Sequence, residues 1–177
     1  MRRALDFAYD LAGYLAGACV AAIFVVMIAQ TVMRELGLRT GGSDDIVAWL
    51  TAAAAFLAMA HTFKHGDFVR VGLVLERLGP AARRGLEIFV LVVGSIAATY
   101  LALAGCRFVY ESWQFNDMAT GLIAMPLWIP QSSFVVGASL FALAMIDELV
   151  RTVRGAVPSY VEAVAARHAR GDFSEDV

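Results

Sequence analysis

The sequence predicts an all-α integral membrane protein: four transmembrane helices, with an amphipathic helix on the cytoplasmic membrane surface between helices 2 and 3. Three observations carry this prediction. Of 177 residues, 60% are apolar and only 17% charged, whereas soluble domains run near 45 to 50% apolar and about 25% charged. Four apolar stretches, Leu11 to Met33, Ile46 to Phe63, Leu86 to Phe108 and Leu127 to Ile146, each suffice for a hydrocarbon layer of about 30 Å, which takes about 17 to 25 helical residues. Their Ala- and Leu-rich makeup lacks the alternation of a membrane β-barrel.

The first span follows Arg2 and Arg3. It is too long for the apolar region of a signal peptide and has no small-x-small cleavage site after it, so it reads as a retained anchor. The second is the shortest. The fourth opens with Pro130 in its first turn, where a missing N–H is tolerated. Residues 1–150 form the four-span domain, and 151–177 a cytoplasmic tail.

Lysine and arginine set the orientation. The N-terminal arm, the connection from Lys64 to Gly85 and the tail carry eleven, while Arg34, Arg39 and Arg107 stand on the other side. That asymmetry puts both termini in the cytoplasm of a bacterial inner membrane. Trp49, Trp113 and Trp128 fall at the outer ends of their spans, as an interfacial aromatic belt requires.

Between spans two and three, Asp67 to Leu78 sets Arg70 and Arg77 on one helical face and Phe68, Val71, Leu75 and Leu78 on the opposite one. This predicts a helix lying on the inner leaflet, the alternative being a short apolar connector. Arg83 and Arg84 then anchor the third span among anionic headgroups. After Pro158, Ser159 and Glu162 suggest a capping box and Gly171 a stop, framing a short tail helix. That helix either docks on a partner or on lipid, or frays in solvent.

Chemistry is sparse. The span interiors hold no Asp, Glu, Lys or Arg away from their ends, so the ion and proton relays that membrane carriers build from buried charges are missing. Broken helix pairs of the kind that form midplane sites are also missing. His61 and His65 lie one helical turn apart and offer two ligands, but a haem anchor needs ligands on facing helices, and the third histidine, His168, is in the tail. They are read as interfacial residues, and no metal or cofactor is expected in this chain. No hydrolase or phosphate-binding motif appears, so no enzyme is expected. Cys19 and Cys106 lie in apolar runs and form no redox or zinc motif. The net charge of −2 leaves no footprint for nucleic acid.

Packing surfaces remain. Gly13 and Gly17, the run from Ala52 to Ala55 with Ala58, and Gly94 with Ala98 let helices approach closely. They serve internal packing or a partner's helix. For a partner interface, the sequence nominates Gly13, Gly17, Ala52, Ala55 and Trp49. The stretch from Val109 to Pro126, which carries Glu111 and Asp117 and no base, reads as an outward loop.

Several motifs occur together: Arg34; Ser43-Asp44-Asp45 leading to Ala48-Trp49-Leu50; Lys64-His65-Gly66-Asp67-Phe68-Val69-Arg70-Val71; and Met125-Pro126-Leu127-Trp128-Ile129-Pro130 running to Val136-Gly137. In this order they resemble the small permease subunit of tripartite ATP-independent periplasmic (TRAP) transporters, the DctQ family, over about residues 5 to 150. The chain departs from the pattern at Phe68, where the family often has histidine, and at the Asp44–Asp45 pair, where glutamate is usual. The resemblance implies a non-catalytic scaffold that pairs with a large elevator-type permease subunit carrying substrate and sodium. A periplasmic binding protein delivers an organic acid to that pair. Asp44, Asp45, Glu111 and Asp117 would then offer part of its docking surface. The competing readings are a membrane anchor of a redox enzyme and a free-standing four-helix adaptor.

Overall fold

The computed structural model describes residues 2–38, 41–66 and 79–170. Among these residues five helices follow one another: α1 (Arg2–Glu35), α2 (Ser43–His65), α3 (Pro80–Gln114), α4 (Trp128–Val153) and α5 (Ser159–His168). The first four are long and apolar enough to cross a membrane, which makes the chain a multi-pass membrane protein. No strand forms among the described residues; an isolated bridge pairs Met118 with Pro126. The surface helix expected from Asp67 to Leu78, with Arg70 and Arg77, lies outside the described residues.

The helices outrun the apolar spans. α1 has 34 residues and α3 has 35, giving lengths of roughly 50 Å against a hydrocarbon core of about 30 Å. Apolarity ends at the membrane boundary, but backbone hydrogen bonding does not, so the helices continue into the polar zone. As a result the third connection shrinks from the expected Val109–Pro126 to residues 115–127, and Glu111 and Trp113 ride on α3.

The four long helices form a row rather than a closed bundle. α1 packs on α2, α2 on α4, and α4 on α3, with only a slight contact between α1 and α4. Among the described residues no substantial contact joins α1 to α3. Both edge helices therefore turn a broad apolar face outward: Phe24 and Ile28 on α1, Phe89, Ile96 and Leu103 on α3. In water that exposure would be ruinous; in lipid it is the expected solvent contact.

Alanine dominates the interior. Among the described residues ten of the sixteen buried apolar ones are Ala, including Ala12, Ala16, Ala60, Ala98 and Ala138. Lipid tails are as apolar as any side chain, so helices in a bilayer associate by close van der Waals approach, which small residues permit. Glycines set the tightest points. A Cβ on Gly137 of α4 would stand 2.4 Å from the Phe56 carbonyl of α2, one on Gly105 of α3 2.4 Å from the Phe134 ring, and one on Gly13 of α1 2.6 Å from the His61 ring. Gly94 meets the Met145 side chain in the same way. Gly13, Gly94 and Ala98 thus serve internal packing. Phe56 and Phe134 complete the α2–α4 contact edge to face, with ring centroids 4.4 Å apart.

Gly137→Val places side-chain atoms against backbone and should destabilise the protein by about 1 to 3 kcal/mol, read as a lower melting temperature in detergent. Gly17→Ala should be silent, because nothing lies within 4 Å of the added carbon.

Candidate functional site

At the end of the row that carries both termini, polar residues from four helices converge. On α1, Asp6 and Asp10 are one turn apart. Lys64 Nζ lies 3.0 Å from Asp6 Oδ1, and His61 Nδ1 lies 3.4 Å from Asp10 Oδ1. The next turn of α2 brings His65, whose Nδ1 is 2.9 Å from the His61 carbonyl oxygen and whose ring stacks on His61 with centroids 4.1 Å apart. Asp10, His61 and His65 hold ligand-type atoms within 4.8 Å of one another. The two histidines share one face of one helix, so a haem does not fit between them, and nothing in this geometry supports a redox anchor.

On α4, Glu148 is 3% exposed. A buried carboxylate demands partners, and it has them: the Ser159 backbone N–H donates to Oε1 at 2.6 Å, the Ser159 hydroxyl donates to Oε2, and Arg151 lies within 3.8 Å. Arg151 also reaches Glu162, at 3.4 Å. The expected capping box is thereby replaced. Ser159 spends its hydroxyl on Glu148 and Glu162 turns to Arg151, because the buried carboxylate is the more demanding acceptor.

These contacts dock α5 on the protein itself. Tyr160 is buried against Phe63, with ring centroids 5.9 Å apart, and Arg167 donates to the His65 carbonyl oxygen at 2.9 Å. Gly66 makes the docking possible. Its φ of 80° ends α2 in the left-handed region, and a Cβ there would stand 2.8 Å from the Tyr160 carbonyl. Beneath α5 a polar cavity of about 390 Å³ is lined by Asp6, Tyr9, Lys64, Asp147, Glu148 and Arg151.

The opposite end is built around a loop. Residues 117–127 fold back on themselves: Leu127 N–H donates to the Asp117 carbonyl and Ala119 N–H to that of Met125, both at 2.9 Å. Asp45 clamps the tip by accepting the Leu122 N–H at 3.1 Å, and a Cβ on Gly121 would collide with its carboxylate. Asp44 accepts from the Gln30 side chain at 3.1 Å, tying α1 to the start of α2. Of the four acidic residues nominated for docking, Asp44 and Asp45 therefore hold structure together, while Glu111 and Asp117 are exposed.

Near this end an apolar groove of about 450 Å³ opens between α2 and α3, over α4. Trp49, Ala52, Phe56, Ala104, Phe108 and Phe134 line it, with Gln131, whose Oε1 is buried and finds no hydrogen-bond partner among the described residues. Trp49 and Ala52 thus share one surface. Ala55 and Gly17 are exposed, while Gly13 is taken up by the contact with His61. Trp113 and Trp128 sit exposed at the same end as Trp49. Arg83 pairs with Glu87 at 3.3 Å, and Arg84 lies beside Gly155.

Sequence reasoning missed Tyr9, Asp10, Glu148 and Gln131. The available signal was spacing: Asp6 and Asp10 at i, i+4 and Glu148 and Arg151 at i, i+3 each put polar groups on one face just beyond a span.

Glu148→Ala strands Ser159 and Arg151 and should loosen α5 by about 1 to 3 kcal/mol, seen as faster amide exchange across Ser159–His168 with the exchange of α2 unchanged. Asp45→Ala should act in the same way on the loop around Leu122.

Comparison with known proteins gives one family. Residues 23–155 match the family described as "Tripartite ATP-independent periplasmic transporters, DctQ component". A search of curated proteins found no significant match. The matched segment runs from the last third of α1, through α2, α3 and the clamped loop, to the end of α4. The chain belongs to the DctQ family and is a small permease component of a TRAP transporter.

Proposed function

We propose that the chain is the non-catalytic scaffold subunit of a TRAP-type secondary transporter in a bacterial inner membrane, with both termini cytoplasmic. It pairs with a large, sodium-coupled elevator permease subunit, and a periplasmic binding protein delivers an organic acid to the pair. The observation that carries this reading is the segregation of charge. Every Asp, Glu, Lys and Arg of the described helices lies toward one or the other of the two ends of the row, while the surfaces between are apolar and rich in alanine. A subunit that conducted an acid or sodium would need polar groups at membrane depth; one that serves as a wall does not. Sodium and substrate then belong to the large subunit, and the transport chemistry needs no cofactor here.

A row of helices suits that role better than a closed bundle. It offers two broad faces to lipid and to a partner, and its members are fixed by close glycine and alanine contacts. The groove at Trp49, Ala52 and Phe108 is the partner surface in this reading, because a helix with a polar donor would fill it and satisfy the Gln131 oxygen. Glu111 and Asp117 face the periplasm and contribute to the surface that receives the binding protein.

Tagging the chain in its native host and identifying what co-purifies in mild detergent tests the pairing: a large polytopic permease is expected, and recovery of a flavin, haem or iron–sulfur protein overturns it. Filling the groove with Ala52→Trp and Ala104→Trp should lower recovery of the permease by about tenfold or more, equivalent to roughly 1.4 kcal/mol. Glu111→Lys with Asp117→Lys should leave that complex intact and weaken uptake that depends on the binding protein.

A further inference from the structure

We infer that Asp10, His61 and His65 form a binding site for a divalent transition metal ion, with zinc the best match to the donors, clamping α1 to α2 at the end that carries the termini. The sequence offered the two histidines as ligands but not the third donor, because Asp10 is separated from them by most of two helices. The fold brings their ligand atoms within 4.8 Å of one another.

Four features point to an ion rather than to ordinary packing. Asp10 Oδ1 and His61 Nδ1 are both buried, and neither has a hydrogen-bond partner among the described residues. They stand 3.4 Å apart, too poorly aligned to bond each other yet close to the separation of two ligands around a tetrahedral zinc, about 3.3 Å for bonds of 2.0 to 2.1 Å. His65 Nδ1 faces the His61 carbonyl oxygen at 2.9 Å. With the proton on Nδ1, the lone pair is left on Nε2, and a ligating histidine typically donates its other ring N–H to just such a carbonyl. Gly13 leaves room for the His61 ring hard against α1, where any Cβ would press on it. The ring is therefore fixed before an ion arrives.

The neighbouring cations do not compete. Lys64 is engaged by Asp6 at 3.0 Å and Arg167 by the His65 carbonyl at 2.9 Å. Two imidazoles and one carboxylate suit zinc and leave a fourth position for water. The side chains of His61 and Asp10 are 36% and 42% exposed, although the two facing atoms themselves are buried.

The test uses the full chain, purified in detergent without a polyhistidine tag, stripped with chelator and titrated with Co²⁺ as a spectroscopic stand-in for zinc. One ion per chain with visible d–d absorption is expected. Asp10→Asn and His61→Gln should each weaken binding by more than the roughly tenfold to hundredfold that loss of an outer-sphere partner costs, while His168→Ala leaves it unchanged. If these variants fail to fold, X-ray absorption at the zinc edge of the loaded wild type decides. A shell with two imidazole nitrogens supports the site, whereas sulfur ligation or a six-oxygen shell overturns it. Absence of binding, or binding equal in Asp10→Asn, His61→Gln and wild type, overturns it as well.

Discussion

The close approach of α2 and α4 is the contact on which the rest of the structure depends. Gly137 lets α4 lie against the backbone of α2 at Phe56, and Phe134 and Phe56 pack edge to face beside it. α1 is attached to this pair only through α2 in any substantial way, and α3 only through α4. In water such a sparse row would collapse to hide its apolar edges. In a bilayer those edges are already in their preferred solvent, so the only requirement is that neighbouring helices fit closely enough to displace lipid. Alanine and glycine meet that requirement with little side-chain entropy to lose.

The second organising principle is the removal of polar groups to the two ends. Backbone groups inside the membrane are satisfied within each helix, which leaves side-chain polarity free to concentrate where water or headgroups begin. At the loop end, Asp45 and Asp44 fix the connections through the Leu122 N–H and Gln30. At the terminal end, Glu148 draws the chain back through Ser159 and lays α5 across the foot of α2. A wall of this kind, polar only at its rims, suits the static role proposed for the chain within a TRAP transporter. The same rim places Asp10 beside the histidine pair, so the ion site is a by-product of how α1 and α2 align.

Much of this architecture was legible in the sequence. The four spans, their helical nature, the tail helix and the family all followed from hydropathy, composition and short motifs, because insertion into lipid is decided locally, one segment at a time. Helix ends were less legible. Arg2–Glu35 and Pro80–Gln114 continue well past their apolar runs, since a helix stops where its backbone loses hydrogen bonds or meets a breaker, not where its side chains turn polar.

The sequence by itself determined that this protein carries four segments long and apolar enough to cross a membrane as helices and keeps its charges out of their interiors. Only the tertiary structure decided which glycines face a neighbouring helix and which face lipid, that Gly13 serves His61 while Gly17 meets nothing, and that Ser159 caps no helix but satisfies a buried glutamate. The physical reason is that small residues on a helix look alike in one dimension. Their role depends on the azimuth and neighbour of each helix, which are set by contacts between segments far apart in the chain.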